Sequence, residues 1–196
     1  MRKILTFLTF LYFLGYSNPN IVYLLKVEGV IDPVVVDYIK RYLKEAESKN
    51  ITCVIIQLDT PGGLMESTRE IVKLFLNSNV PIVVFVYPKG ARAASAGVFI
   101  TLAAHIAAMA PSTNIGAAHP VAMGEKLSKE LKRKILNDAL AQIEAICKAR
   151  GRNISWAKSA VKKSVSITSR KALKLKVIDF VAEDVKDLLS KINGKV

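Results

Sequence analysis

"ITCVIIQLDTPGGL", residues 51–64, decides the fold. Its first part is a continuous apolar run rich in β-branched side chains. A strand with one face in water alternates apolar and polar residues, whereas an unbroken run belongs to a strand covered on both faces, as in a parallel sheet. The run stops at "TPGG" (60–63), and "MESTREIVKLFLNS" (65–78) then brings apolar residues back at helical spacing. Buried strand, glycine turn and amphipathic helix together form the repeating unit of an α/β chain.

The same alternation continues in both directions. "IVYLLKVEGVI" (21–31) reads as a strand and "DPVVVDYIKRYLKEAESKN" (32–50) as a helix, with Asp32 as cap and Pro33 at the first helical position. "VPIVVFVYPKG" (80–90) is a second buried strand. "GARAASAG" (90–97) follows it and opens a small-residue helix, expected to run on through "GVFITLAAHIAAMA" (97–110). "TNIGAAHPV" (113–121) is a short extended piece, and a long helix over about 126–150 ends at Gly151. A helix over about 154–164 follows. "SRKALKLK" (169–176) then precedes the strand "VIDFVA" (177–182), and "EDVKDLLSKING" (183–194) is a last helix. The prediction is an α/β fold with a largely parallel sheet flanked by helices, its functional turns at the carboxyl ends of the strands. "DTPGGL" and "GARAASAG" are both turns of that kind.

With 196 residues, half of them apolar, the chain is long enough for one well-filled domain, with or without an appendage. Cys53 and Cys147 fit neither a metal spacing nor a disulfide framework and read as small core residues. No cofactor is expected: there is no G-x-G-x-x-G and no G-x-x-x-x-G-K-[ST]. The net charge of +13 comes from 29 basic and 16 acidic residues, much of it in helical stretches such as "EKLSKELKRK" (125–134). No aromatic-interleaved basic motif accompanies it, so nucleic acid is set aside in favour of a solvated basic face near anionic lipid headgroups.

The N-terminus "MRKILTFLTFLYFLGYSNPN" has a basic start, about a dozen apolar residues from Ile4 to Tyr16, and then polar turn formers. A spanning helix needs about 20 apolar residues. Residues 1–19 therefore read as a signal peptide or N-terminal membrane anchor, and 20–196 as the working domain. The expected location is membrane-associated or extracytoplasmic.

Ser95 sits among six Ala and Gly residues in "GARAASAG", where a core position would normally carry larger side chains. Either α-helix and strand pack closely here, or the serine stands exposed with substrate backbone beside it. The glycines of "TPGG" leave backbone N–H groups uncovered, as an oxyanion hole requires. Gly62 is the natural donor, with Gly63 beside it, and Ala96 N–H is the natural second donor. A serine nucleophile needs a base. His105 lies in an Ala-rich helical run and reads as a packed residue. His119 and Lys134 are the two candidates. From spacing alone His119 is an ordinary loop histidine and Lys134 a surface lysine pairing with Asp138 one turn on. Lys134 borders the apolar stripe Leu131, Ile135, Ala139, Ile143 and Ile146, and a lysine becomes a base when desolvation lowers its pKa.

"DTPGG", "ARAASAG", "NIGAAHPV", "KILNDALAQI", "KARGRN" and "SITSRKALKLKVIDFVAED", in this order, resemble the membrane-bound ClpP-class serine proteases called NfeD. The resemblance covers about residues 21 to 190 and implies a ClpP/crotonase-like fold with endopeptidase activity through a Ser–Lys dyad. Carried over by motif, the nucleophile falls on Ser95 of "AASAG", the base on Lys134 of "KILND", and the oxyanion donors on Gly62 and Ala96. His119 remains the alternative base, since ClpP itself uses a histidine at a similar distance from its serine. A histidine base needs an orienting carboxylate, for which Asp138 and Asp179 are the candidates. The resemblance also implies a peptide or protein substrate with a hydrophobic segment, stomatin-like proteins as the usual partner, and a homodimer or higher oligomer. Two other readings stay open: a non-hydrolytic scaffold of this fold, and a crotonase-type acyl-CoA enzyme, which an export signal and a reactive serine disfavour. Lys176 stands where the family pattern tends to have Gly.

Overall fold

The β-branched runs form the centre of a parallel sheet. The computed structural model describes residues 21–121 and 128–195, so the segment read as a signal or anchor lies outside the described residues. Strands β1 (Val22–Glu28), β2 (Cys53–Asp59) and β3 (Ile82–Val86) lie side by side, each parallel to the next. They are separated in the chain by α1 (Pro33–Ser48) and α2 (Met65–Leu76). Asp32 caps α1 by accepting the Val35 N–H at 2.9 Å, with Pro33 in the first turn, as the sequence predicts.

After β3 the chain builds a second, smaller sheet. The short strand β4 (Arg92–Ala94) leads directly into α3 (Ala96–Ala103). Beyond α3 lie β5 (Ile106–Met109) and β6 (Asn114–Gly116), then α4 (Lys129–Arg150) and α5 (Ile154–Lys163). The chain ends in β7 (Ser166–Thr168), α6 (Ser169–Lys174), β8 (Phe180–Val181) and α7 (Val185–Ile192). The main sheet has the order β1-β2-β3-β5-β8, and β4-β6-β7 form the second. The result is an α/β fold with a largely parallel main sheet flanked by helices. One face of that sheet packs on α1, α2 and α3, and α7 brings Leu188 and Ile192 to the other.

The expected small-residue helix over 97–110 is corrected. It ends at Ala103, and residues 106–109 form a strand between β3 and β8. Every residue from Ala96 to Ala104 and from Ile106 to Ala110 is buried, so no polar face marks which period applies. His105 marks the break: its Nδ1 accepts the Ile82 N–H at 3.1 Å, joining the start of β5 to the start of β3. Burial, aided by the charge of Arg150, lowers the pKa of this histidine from its ordinary value.

Two arginines hold the C-terminal end of α3. Arg152, with only 2% of its side chain exposed, donates to Leu102 O at 3.1 Å and Ala104 O at 3.0 Å and pairs with Asp179 at 2.9 Å. Arg150 donates to Ala103 O at 2.9 Å and Phe75 O at 2.8 Å. Helix C-termini leave carbonyls without intrahelical partners, and here guanidinium groups satisfy them. Arg152→Met is expected to lower stability by about 3 kcal/mol, because it orphans two buried carbonyls at once. A urea midpoint shift with an unchanged slope measures this; a shift worth under about 0.5 kcal/mol contradicts it.

Lys176 adopts φ 56° just past α6. Lys176 N–H meets Leu173 O at 3.0 Å and Val177 N–H meets Ala172 O at 2.9 Å, the paired bonds of a Schellman end. Glycine reaches this conformation without strain, which accounts physically for the glycine expected from the family pattern.

Candidate active site

The backbone brings "TPGG" and "GARAASAG" into contact at the carboxyl ends of β2 and β3. Beyond β2 the chain pairs with β4: Thr60 N–H donates to Arg92 O at 2.8 Å, and Ala94 N–H donates to Thr60 O at 3.0 Å. Asp59 Oδ1 also accepts the Arg92 N–H at 3.0 Å. Ser95 is therefore fixed from the strand side. On its other side, Ser95 N–H donates to Gly116 O in β6 at 3.1 Å, and Ser95 O accepts the Val98 N–H of α3 at 3.0 Å.

Between those anchors Ser95 takes φ 51°, ψ −110°, a backbone conformation that costs a non-glycine residue roughly 1–3 kcal/mol. The side chain is half-buried and its Oγ makes no hydrogen bond among the described residues. The small neighbours of Ser95 divide the work. Ala93 is fully buried, and a Cβ at Gly97 would stand 2.8 Å from Thr60 Cγ2 and 3.2 Å from Ala93 Cβ. Close helix–strand packing thus explains Gly97. A Cβ at Gly62 would lie 2.7 Å from Ser95 Cβ and 3.1 Å from its Oγ, so the absence of a side chain at Gly62 makes room for the serine. Close packing is thus the reading seen at Gly97, while Ser95 itself is half-buried beside Gly62.

The N–H groups near Ser95 are not equivalent. Gly62, at φ 126°, gives its N–H to Thr60 Oγ1 at 3.0 Å, and the same hydroxyl donates to Gly62 O at 3.1 Å. Thr60 is wholly buried, so this contact is shielded from water. The sequence reading missed Thr60, whose hydroxyl meets Gly62 only once the turn is folded. At Gly63 the neighbouring bonds use Gly62 O, from Ile31 N–H at 2.9 Å, and Leu64 N–H, to Ile31 O at 2.8 Å. Gly63 N–H meets no acceptor among the described residues. A Cβ there would stand 2.1 Å from Ile31 O, so only glycine fits. Ala96 N–H, in the first turn of α3, likewise has no acceptor among the described residues, as the helix geometry dictates.

His119 and Lys134 occupy different surroundings. The strip from Gly116 runs along α5: Ala117 N–H meets Val165 O and Ala118 N–H meets Ala160 O, both at 3.0 Å. His119 Nδ1 then lies 3.0 Å from Val161 O. A carbonyl is only an acceptor, so Nδ1 carries the proton and Nε2 is the free acceptor. Neither candidate carboxylate reaches this ring: Asp138 pairs with Arg69 of α2, and Asp179 Oδ2 takes Arg152 and the Ala107 N–H at 2.8 Å. Lys134 is on the first part of α4, with 71% of its side chain exposed, and lies 3.6 Å from Glu130, one turn back rather than one turn on. No hydrogen bond joins it to Ser95 among the described residues. The apolar stripe of α4 is buried from Ala139 onward, while Leu131 near the helix start is exposed.

Cys53 and Cys147 are buried and unpaired, and burial pushes both thiols up to about 11, so neither is a thiolate at neutral pH. Among the described residues no group of three His, Cys, Asp or Glu side chains gathers at one point. No helix among them is long and apolar enough to cross a membrane.

Comparison with known proteins adds the family. The chain is 40% identical over 198 residues to the membrane-bound protease PH1510 of Pyrococcus horikoshii, with 99% of this chain covered. It spans 45% of that relative's length. Two solved structures described as a membrane-bound stomatin-specific protease superpose closely, each over 89% of this chain. A serine-to-alanine mutant has TM-score 0.83, 40% identity and 86% of its own length covered. A lysine-to-alanine mutant in complex with a substrate peptide has TM-score 0.84, 39% identity and 81% covered. ClpP1 from Listeria monocytogenes matches 84% of this chain and 94% of its own at TM-score 0.68 and 18% identity, which establishes a shared ClpP-like fold. Residues 21–193 match the family described as NfeD1b, N-terminal domain, and the chain belongs to that family.

Proposed function

We propose that this chain is a serine endopeptidase acting on a hydrophobic segment of a membrane-associated, stomatin-like protein. The observation that carries the reading is Ser95 itself. A non-glycine residue is held at positive φ between strand and helix, with no hydrogen bond to its Oγ among the described residues and a glycine backbone packed on its Cβ. Backbone strain at a serine, together with uncovered N–H groups beside it, fits a nucleophile and its oxyanion hole. The similar protease solved with a substrate peptide, and its serine and lysine mutants, support the same reading.

In this mechanism Ser95 Oγ attacks the peptide carbonyl while Lys134, neutral, takes the hydroxyl proton. The tetrahedral oxyanion receives the Ala96 N–H and the Gly63 N–H. Gly62 N–H joins them only if Thr60 Oγ1 releases it. The lysine then protonates the leaving amine, and water hydrolyses the acyl-enzyme with the lysine again as base. A lysine serves as a base when desolvated, so this mechanism requires the start of α4 to be covered, removing Lys134 from Glu130 and from water. Substrate or a second copy of the chain supplies that cover, and Leu131 gives it an apolar contact. Residues 20–196 form the protease domain, and 1–19 export it or hold it at the membrane.

Lys134→Ala is expected to lower kcat on a hydrophobic peptide by about 10³-fold, the usual contribution of a general base, with KM little changed. His119→Ala is expected to stay within about threefold of the parent, since neither candidate carboxylate, Asp138 or Asp179, orients that ring. Steady-state kinetics of the two variants decides between them: loss in His119→Ala with retention in Lys134→Ala assigns the base to the histidine.

A further inference from the structure

Every charged residue from Lys148 to Lys176 is basic. Four of them are engaged: Lys148 and Lys158 pair with Glu144, Arg152 pairs with Asp179, and Arg150 holds carbonyl groups. The other six, Lys162, Lys163, Arg170, Lys171, Lys174 and Lys176, are all exposed and have no ion pair among the described residues. They lie on one continuous piece of the fold. The C-terminal turn of α5 runs into β7 and then α6, and the two helices are tied at the other end, where Asn153 N–H meets Lys176 O at 3.2 Å and Asn153 Nδ2 meets Leu175 O at 2.8 Å. Within α6, Arg170, Lys171 and Lys174 are three and four residues apart and share one helix face.

Cations in the last turn of a helix oppose its dipole, which accounts for Lys162 and Lys163 and for part of α6. It does not account for the absence of any acidic residue across the whole stretch, since like charges this close repel. The stretch also lacks what a nucleic-acid reader needs: the one large aromatic between Lys148 and Lys176, Trp156, is buried and offers no stacking platform. Leu173 instead stands 41% exposed among the cations, the mixture of aliphatic and basic side chains found at lipid interfaces. At the Lys176 end the face opens into a cavity of about 540 Å³ whose lining includes Leu173, Lys176, Phe180 and Lys195. Asp179, the acidic group in that lining, is held by Arg152.

We infer that the α5–β7–α6 face docks on anionic phospholipid headgroups. Because β7 pairs with β6, whose Gly116 O holds Ser95 N–H, docking sets the serine at a fixed height above the bilayer surface. The inference deepens the membrane-association reading above, and the two fail separately. The test uses the full chain, sedimented with vesicles of phosphatidylcholine alone or with added phosphatidylglycerol, alongside the triple variant Arg170→Gln, Lys171→Gln, Lys174→Gln.

The wild type is expected to bind the anionic vesicles preferentially, with high salt releasing that preference. The triple variant is expected to lose on the order of 100-fold in affinity, about fivefold per charge. Unchanged peptide cleavage and circular dichroism show that the variant is folded. Lys162→Gln with Lys163→Gln repeats the test on another element, with about a 25-fold loss expected. Equal binding of both vesicle types by all three proteins overturns the basic face while leaving membrane association through the N-terminal segment. Binding of polyglutamate or duplex DNA, with no phosphatidylglycerol-dependent binding to vesicles, overturns it in favour of an acidic macromolecule.

Discussion

Ser95→Ala is expected to lower peptide cleavage by about 10⁴-fold or more while leaving the fold and substrate affinity intact. The size follows from chemistry: without Oγ there is no acyl-enzyme, and what remains is the contribution of the N–H donors and of bound-substrate positioning. Stability should change little. Ala and Ser carry the same strain at φ 51°, and among the described residues Oγ makes no hydrogen bond whose loss would register. The variant therefore separates catalysis from folding. Thermal unfolding should coincide with the parent within about a degree or two, a shift corresponding to under 0.5 kcal/mol. Peptide affinity, measured by fluorescence anisotropy, should be retained. Full cleavage by Ser95→Ala would remove Ser95 from the mechanism.

The second large effect is expected from Gly62→Ala. An added Cβ would meet Ser95 Cβ at 2.7 Å and Oγ at 3.1 Å, and φ 126° is a conformation that L-residues rarely adopt. Strain and overpacking together should cost roughly 2–5 kcal/mol of stability. Relief of the clash must come from the glycine loop or from Ser95, and either movement misplaces the nucleophile against its donors. A misplacement of about 1 Å is worth about 100-fold in rate. The comparison is made by kcat under conditions where urea titration shows the variant still folded. A kcat within about threefold of the parent would mean that the glycine loop plays no part in the reaction geometry.

The sequence made some of this architecture plain. β2 and β3 announce themselves as long β-branched runs because both faces of each are covered. Asp32, Pro33 and Gly151 mark helix ends through local backbone chemistry alone. The division between α3 and β5 was hidden for a related reason: residues 96–110 are buried almost throughout, and a fully apolar run has no period to read. The three-residue strands β4 and β7 are too short for any alternation, and their partners are distant in sequence.

At the site, Ser95, Gly62, Gly63 and Ala96 could be chosen from residue type and turn position, and the structure packs Gly62 against Ser95. What no local pattern could show is that Thr60 Oγ1 occupies the Gly62 N–H, since that contact depends on how the turn closes. Arg150 and Arg152 were legible only as a family block. Their hold on the α3 carbonyls needs residues 47 to 50 positions apart to meet. Lys134 is the sharpest case. Spacing reads it as a surface lysine and the structure leaves it exposed beside Glu130, whereas its assignment as base comes from the family resemblance and from no local pattern.

The central claim is that Ser95 becomes acylated, and a burst experiment with a hydrophobic peptide p-nitrophenyl ester tests it most directly. Acid quenching during the first turnover, followed by proteolysis and fragment-ion mass spectrometry, locates the acyl group. The prediction is one acyl group on Ser95, absent from Ser95→Ala and accumulating more slowly in Lys134→Ala. An acyl group on another residue, or peptide cleavage with no acylated species, would contradict the mechanism. The absence of both acylation and cleavage, in protein assembled with its substrate, would leave a binding scaffold in its place.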